Sequence, residues 1–274
     1  MNARRPHFRG EWVLEPVMIV IAALFIFPVL FIVMSAFKPD SAIMMNPLAL
    51  PKSLFLENFL KAWRVMRFPR TFLNTLFITA GGVGGIVLVS SMAAYMLARS
   101  ETRLSWLVYI LFAAALVIPF QIIMVPIAVL ASDLGLTTLW GIVLLYWGLG
   151  APTAIFMYHG FVKGVPRELE ESAAMDGAGQ FFIFFRIVFP LLKPITATIV
   201  ILDALWIWND FLLPLIVVRS GTLQLEQMAF HGQFLKEYGP MTASLTLSAL
   251  PIMLFYLALQ KYIIKGIAAG AVKG

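Results

Sequence analysis

Long apolar stretches separated by short polar segments run through most of the chain. Five uncharged stretches lie between Glu15 and Lys38, Arg70 and Arg99, Arg103 and Asp133, Asp133 and Lys163, and Glu237 and Lys261. A sixth, Pro194 to Val218, is interrupted only by Asp203 and Asp210. A helix needs about 20 mostly apolar residues to cross a bilayer core. Only helices and closed barrels satisfy the backbone in lipid, and no barrel-like alternation is present. The pattern therefore predicts an all-α polytopic membrane protein with six transmembrane helices.

The composition agrees with this fold class. Hydrophobic residues make up 61% of the chain and charged residues 12%, whereas soluble domains have about 25% charged residues. The net charge of +6 does not indicate nucleic acid as a partner, because the basic residues stand singly or in small groups beside apolar runs. The partner that the composition indicates is the lipid bilayer.

The N-terminus shows some likeness to a signal peptide, with Arg4, Arg5 and Arg9 before an apolar run. That run, residues 16–37, is longer than the roughly 7–15 residues of a signal peptide's apolar region. We interpret it as a retained first transmembrane helix, with residues 1–15 as an N-terminal segment before it.

Six spans place both termini on one side, and more Lys and Arg residues fall on that side than on the other. The positive-inside rule then predicts that both termini are cytoplasmic. Residues 38–70 form an extracytoplasmic loop in this arrangement, residues 71–262 a core of five spans with a cytoplasmic loop at 163–192, and residues 263–274 a cytoplasmic tail. In the first loop, Lys61, Arg64 and Arg67 recur every third residue beside Leu60, Trp63 and Met66. This spacing predicts an amphipathic helix at the outer membrane interface.

Sequence motifs of common enzymes and of nucleotide binding are absent. There is no G-x-x-x-x-G-K-[ST] phosphate loop, no H-E-x-x-H and no G-x-S-x-G, so neither a bound ATP nor a hydrolytic centre is expected in this chain. His7, His159 and His231 lack the spacing of metal ligands, and there is no cysteine. We expect no catalytic residue, no metal and no cofactor, and the chain is not predicted to be an enzyme.

The segment 163–192 joins the fourth and fifth spans and is rich in polar residues. Pro166 suits the first turn of a helix, and Glu168, Glu170 and Glu171 suit its positive N-terminal end. Gly177 or Gly179 can end this helix with a positive φ. A second short helix is predicted over 181–188, ending at Pro190, with an apolar stripe of Phe181, Phe184, Phe185 and Val188. The pattern alone fits an ordinary loop helix and a docking element equally well.

The same segment resembles a known family. Glu171-Ser172-Ala173, Gly177, Ile187 and Pro190 resemble the E-A-A…G…I-x-L-P loop of binding-protein-dependent ABC importer permeases, with Ser and Phe189 in place of Ala and Leu. The longer string from Pro166 to Ala178 is similar to the carbohydrate branch of that family. The stretch 206–215, with its Trp-Asn-Asp-Phe run, and the tail 260–274 resemble the same branch.

The resemblance implies a type I ABC importer permease core in a bacterial inner membrane, carrying sugar inward. It implies as partners a dimer of ATP-binding subunits, a second permease subunit in a heterodimer, and an extracytoplasmic solute-binding protein. ATP would be bound by the ATPase partner. The implied ATPase-coupling residues are Glu168, Glu170, Glu171, Ser172, Ala173, Ala174, Asp176, Gly177, Ile187 and Pro190. A permease for a peptide, polyamine or phosphate stays open, as does, in a different class, a proton-coupled carrier or channel.

Acidic residues inside the fifth span are candidates for the translocation path. A carboxylate in a membrane helix should face a cavity or a partner. Asp203 and Asp210 are seven residues apart, so one continuous helix would place them on one face, with Trp206 between them. For Asn209 and Asp210, which are also path candidates, we favour a structural role in which they hold neighbouring helices or the partner subunit together. The pattern leaves both roles open for Asp203.

Overall fold

The computed structural model describes residues 11–230 and 237–271. His7, His231 and the first arginines lie outside these ranges. Regular secondary structure within the two ranges is entirely helical, with one π-helical turn at Phe184–Val188 and one 3₁₀ turn at Gln227–Phe230. The α-helices are α1 Glu11–Ala36, α2 Asp40–Met45, α3 Glu57–Val65, α4 Phe68–Arg99, α5 Arg103–Ala115, α6 Phe120–Asp133, α7 Leu139–Lys163, α8 Glu168–Met175, α9 Gln180–Ile183, α10 Phe189–Leu191, α11 Lys193–Asn209, α12 Leu212–Val217, α13 Leu223–Glu226 and α14 Tyr238–Ala271.

The described residues form two compact units. The first contains α1 to α3 and the N-terminal part of α14, up to Ala249. The second contains the chain from Pro69 to Glu226 and α14 from Leu250 onward.

In the first unit, a buried asparagine satisfies the C-terminal end of α1. The last carbonyls of a helix have no partner within the helix. Asn58 Nδ2 donates to the carbonyl oxygens of Ala36 and Lys38, at 2.9 and 2.8 Å. Gly239 lies against the same side chain, and a Cβ there would be 2.6 Å from its amide atoms. Asn58 therefore ties α3 and the start of α14 to the end of α1.

The amphipathic helix predicted around Lys61 is present as α3, and the face that it buries within the first unit differs from the apolar stripe predicted to lie at the membrane interface. Leu60 and Trp63 are largely exposed, and of the predicted apolar residues only Met66 is buried. The other buried positions are Asn58 and Ala62, which precede Met66 at intervals of four residues. The sequence pattern does not reveal this buried face, because Asn58 is polar and its burial is explained by the α1 carbonyl groups that it binds.

Four described helices are long and apolar enough to span a membrane without a bend: Leu14–Ala36, Phe68–Arg99, Leu139–Lys163 and Tyr238–Gln260. Two further helix pairs pass the same test only together. Arg103–Ala115 with Phe120–Asp133 is bent by 107°, and Gln180–Leu191 with Lys193–Asn209 by 77°. The count is therefore four to six candidate spans.

The third predicted span, between Arg103 and Asp133, is not one continuous helix. α5 ends at Ala115 and α6 begins at Phe120, after Pro119 in an extended conformation. Proline lacks an N–H and disfavours helical geometry in the residue before it, so a break at this point has a local cause.

In the second unit, glycines on α4 allow close packing against α7 and α11. A Cβ on Gly85 would lie 1.8 Å from the Trp147 ring on α7, and one on Gly82 would lie 2.8 Å from Ile207 Cδ1 on α11. The Trp147 ring cannot easily move away, because its Nε1 donates to the carbonyl oxygen of Gly81 at 2.9 Å. Gly84, which directly precedes Gly85, has open space around its Cβ position.

We predict that Gly85→Ala lowers stability and that Gly84→Ala does not. The new methyl group at position 85 overpacks the α4–α7 contact, for which about 1–3 kcal/mol is typical. At position 84 the methyl group meets no neighbour, and alanine favours helix by about 1 kcal/mol over glycine. Thermal unfolding of the two purified variants in detergent measures the difference. Equal melting temperatures would show that the glycine is not needed for this contact.

Candidate functional site

The 163–192 segment forms a compact pair of short helices. After α7 ends at Lys163, a short turn leads into α8, whose first turn contains Glu168, Glu170 and Glu171. These carboxylates lie where the helix dipole favours negative charge. Ser172 Oγ donates back to the Glu168 carbonyl oxygen at 2.7 Å, so this hydroxyl is satisfied within α8.

The three acidic side chains of α8 have different surroundings. Glu170 packs against the C-terminal end of α4, where Arg99 Nε donates to Glu170 Oε1 at 2.8 Å and Tyr95 OH donates to Glu170 Oε2 at 2.7 Å. Arg99 Nη2 also donates to the Val165 carbonyl oxygen at 2.9 Å. The Arg99 and Glu170 side chains are only 14% and 13% exposed. A pair so shielded from water keeps much more of its strength than a surface pair.

A second ion pair, at the surface, joins the residue before α8 to the turn after α4. Arg167 Nη2 lies 2.7 Å from Glu101 Oε1, and the two side chains are 48% and 78% exposed. Exposed pairs contribute about 1 kcal/mol or less. The attachment of α8 to α4 therefore depends mainly on Glu170.

The opposite face of α8 is open. Glu168, Glu171, Ser172, Ala174 and Asp176 are exposed, and Ala173 is half-buried. The neighbouring Met175 is 84% exposed, and Phe181 and Phe182 are also largely exposed. An exposed apolar patch rimmed by acids is typical of an interaction surface.

The corner after α8 depends on one glycine. Gly177 has φ +86°, a conformation that favours glycine, and its N–H donates to the Ala174 carbonyl oxygen at 3.0 Å. Gly179, the other predicted helix-ending glycine, has φ −73°. An open depression of about 630 Å³ borders this corner and is lined in part by Gly177, Phe182 and Ile187.

The second short helix differs from its prediction in length and in buried face. It does not end at Pro190, because the π-helical turn Phe184–Val188 continues into α10, which runs to Leu191. The wider turn, with Phe189 N–H donating to the Phe184 carbonyl oxygen, precedes a proline that has no N–H to donate. Of the predicted stripe, Phe184 and Val188 are buried, whereas Phe181 and Phe185 are exposed. Ile187 and Pro190 are half-buried.

We predict that Glu170→Gln loosens α8 and that Glu168→Gln, on the open face, does not. The amide cannot form the ion pair with Arg99 and leaves its guanidinium without a charged partner. A hydrogen bond to a charged group contributes about 2 kcal/mol, and the free energy of local opening should fall by a similar amount. Hydrogen exchange of the amides at 168–175 measures this change. Equal exchange in both variants would mean that α8 is held by other contacts.

The candidate path residues near the end of α11 fall into two environments. α11 ends at Asn209, and Asp210 has extended backbone, with ψ 130°. Asp210 Oδ1 accepts the Leu212 N–H at 3.0 Å, and Asp210 Oδ2 accepts a hydrogen bond from Tyr146 OH at 2.8 Å. The carboxylate thus satisfies the start of α12 and joins this break to α7. This is the structural role that the sequence favours for Asp210.

The predicted common face of Asp203 and Asp210 is wrong, because no single helix contains both residues. Asp203 is 7% exposed within α11, and its Oδ2 has no hydrogen-bond partner among the described residues. Trp206 contacts the Tyr146 ring edge-to-face, with ring centroids 5.4 Å apart. Asn209 is exposed and donates to the Leu205 carbonyl oxygen at 2.8 Å. The structure therefore brings Trp206, Tyr146 and Asp210 together.

Three residues of these contacts were missed from the sequence: Tyr95, Arg99 and Tyr146. Tyr95 and Arg99 are four residues apart near the end of a predicted span, so their side chains share one helix face. That spacing was a usable signal for a polar contact at the membrane surface. Tyr146 has no comparable signal, because it lies in an apolar helix among other aromatic residues.

His159 lies in α7, where it is buried and stacks on Tyr109 with ring centroids 3.9 Å apart. Within the described residues, no group of three or more His, Asp or Glu side chains could hold a metal ion.

The four to six apolar candidate spans define a polytopic helical membrane protein. Residues 85–269 match the family described as binding-protein-dependent transport system inner membrane component. The chain belongs to this family of transport permeases. The predicted resemblance to the carbohydrate branch is confirmed by its relatives.

Curated relatives match most of the chain. The Probable starch degradation products transport system permease protein AmyC of Thermoanaerobacterium thermosulfurigenes is 39% identical over 93% of this chain and 94% of its own length. The multiple sugar-binding transport system permease protein MsmG of Streptococcus mutans is 38% identical over 91% of this chain and 92% of its own. The melibiose/raffinose/stachyose import permease protein MelC of Bacillus subtilis is 37% identical over 82% and 83%.

The fold also matches a solved structure. A chain from the crystal structure of a bacterial ABC transporter involved in the import of the acidic polysaccharide alginate superposes with a TM-score of 0.80. The match covers 96% of this chain and 99% of that chain, at 21% sequence identity. The type of fold predicted from the resemblance, an ABC importer permease, is therefore confirmed.

Proposed function

We propose that this chain is the transmembrane subunit of an ATP-driven sugar or oligosaccharide importer, and that α8 docks on the ATPase. One observation carries the proposal of docking: α8 turns Glu170 inward to α4 and leaves Glu168, Glu171 and an apolar patch uncovered. Within the described residues, neither the apolar patch nor the side chains of Glu168 and Glu171 have a binding partner. A basic and apolar groove on another subunit would complement it.

The proposed topology has six spans: the four continuous helices, the bent pair α5 and α6 counted as one, and the segment Pro194 to Val218, with both termini in the cytoplasm. The 163–192 segment then lies at the cytoplasmic face, and the 38–70 loop with α3 lies outside. A dimer of ATP-binding subunits, a second permease and an extracytoplasmic solute-binding protein complete the importer in a bacterial inner membrane. ATP is bound by the ATPase, and this chain performs no chemistry on the substrate.

Coupling follows from the Glu170 contact. If closure of the ATPases moves α8, the bonds from Glu170 to Tyr95 and Arg99 transmit that movement to α4, which packs closely on α7 through its glycines. Rigid-body movement of packed helices is the usual basis of alternating access.

Sugar as the substrate is supported by the names of the relatives, which include transport of starch degradation products, multiple sugars and raffinose-type oligosaccharides. A non-sugar solute is the alternative within the family. Uptake of labelled sugars by cells expressing the whole importer separates the two. Loss of uptake on ATP depletion, but not on collapse of the proton gradient, excludes a proton-coupled carrier.

We predict that Gly177→Asp and Glu171→Lys each abolish uptake and substrate-stimulated ATP hydrolysis without changing membrane insertion. The first forces a positive φ on a residue with a Cβ, and the second reverses a charge on the open face of α8. Gly179→Ala is the control for the first, because its φ is ordinary and its Cβ position is open. Normal uptake and ATPase co-purification with both variants would rule out docking through α8.

We propose that Asp203 contributes a hydrogen-bond acceptor to the translocation path, because its unpartnered oxygen is buried in a membrane helix where such a group is costly. We expect Asp203→Asn to lower the rate of uptake by about tenfold, the loss expected for about 1.4 kcal/mol, with normal assembly. Asp133→Asn, at the exposed end of α6, should leave uptake unchanged. Equal uptake in the two variants would remove Asp203 from the path.

A further inference from the structure

A polar cavity of about 610 Å³ lies where the C-terminal ends of α4 and α7 meet the start of α5. Three basic side chains, Arg99, Lys163 and Arg167, line it, together with the single acid Glu101 and the ring of Trp106. No residue of the predicted coupling set and none of the path candidates lines this cavity. It is a separate feature of the second unit.

The charges around the cavity do not balance. Arg167 is paired with Glu101, and Arg99 is paired with Glu170. Lys163 is exposed and makes no hydrogen bond or ion pair within the described residues. The positive charge of Lys163 is therefore not balanced. Lys163 lies at the C-terminal end of α7, where the carbonyl groups of the helix favour a cation. An anion in the cavity would be attracted by Lys163 and by the outer N–H groups of the two paired guanidinium groups.

The position of the cavity indicates what kind of anion it takes. α5 begins at the cavity and exposes a run of apolar side chains, among them Leu104, Leu107 and Leu111. Trp106, on the cavity wall, is 65% exposed. Tryptophan with one apolar and one polar side is enriched at the level of lipid headgroups. The cavity thus lies where an apolar helix surface gives way to a cluster of basic residues.

We propose that this cavity binds a phosphate group, supplied by the headgroup of an anionic phospholipid whose acyl chains lie along α5. Basic pockets between transmembrane helices bind anionic headgroups by the same combination of charge and position. Lys163 supplies the main charge, and Arg99 and Arg167 supply additional donors. A phosphate in this position contacts α4, α7 and the turn before α8 at once, so the lipid adds to the attachment of α8.

Native mass spectrometry of the purified importer complex tests the proposal. The delipidated complex is incubated with phosphatidylglycerol or phosphatidylcholine of identical acyl chains. The wild type should retain phosphatidylglycerol in preference to phosphatidylcholine. Lys163→Gln should lower phosphatidylglycerol retention about fivefold, the effect expected for one basic residue near anionic lipid. Lys163→Arg should restore it, and Lys193→Gln, an exposed lysine outside the cavity, should leave it unchanged.

A second arm uses inorganic phosphate with the same variants and reads thermal stability. Stabilisation of the wild type but not of Lys163→Gln, without any preference for phosphatidylglycerol, would assign the site to free phosphate and not to lipid. Equal lipid retention by wild type and Lys163→Gln, with no effect of phosphate, overturns the proposal. Loss of the ATPase from Lys163→Gln with unchanged lipid also overturns it, because the cavity would then be a protein contact. None of these readouts depends on sugar uptake, so the failure of one proposal leaves the other testable.

Discussion

Lipid leaves no water to bind a polar group, so every N–H, carbonyl and carboxylate within the bilayer needs a partner in the protein. This constraint accounts for the all-helical fold and for the polar contacts within it. Where α11 stops, Asp210 accepts from the Leu212 N–H and from Tyr146 OH. Where α1 stops, Asn58 binds the free carbonyls. At these two helix ends, a side chain satisfies the free backbone groups.

The same constraint explains how far the sequence predicts the fold. Apolar length alone locates every long helix, because lipid requires it. It does not show that the third and fifth predicted spans are each broken into two helices, since a break depends on local residues or on distant partners. Pro119 was visible as a possible break, whereas the break at Asp210 depends on Tyr146, which is 64 residues away in sequence. A carboxylate bound to a distant hydroxyl cannot be recognised from helical spacing.

In the segment 163–192, the sequence predicts the helix, its acidic first turn and the corner at Gly177. It does not predict that Glu168, Glu170 and Glu171 have different surroundings. Successive residues of an α-helix are rotated by about 100°. Glu168 and Glu171 are therefore about 60° apart around the helix, whereas Glu170 is about 160° from Glu168 and about 100° from Glu171. Helical geometry thus predicts that the three carboxylates cannot all serve one partner. What the spacing does not reveal is which side faces α4, because that depends on Tyr95 and Arg99.

This division of the acids bears on how the protein can couple two processes. A surface helix that binds a moving partner on one face must be fixed to its own protein on the other, or the movement is lost in a loose hinge. Exposed ion pairs such as Arg167–Glu101 are too weak to fix it, as water screens them. A shielded carboxylate bonded to both a guanidinium and a phenol is stronger and has a defined geometry. Glu170 therefore belongs to the attachment of α8, and the docking on the ATPase that we propose would fall to the residues on its open face.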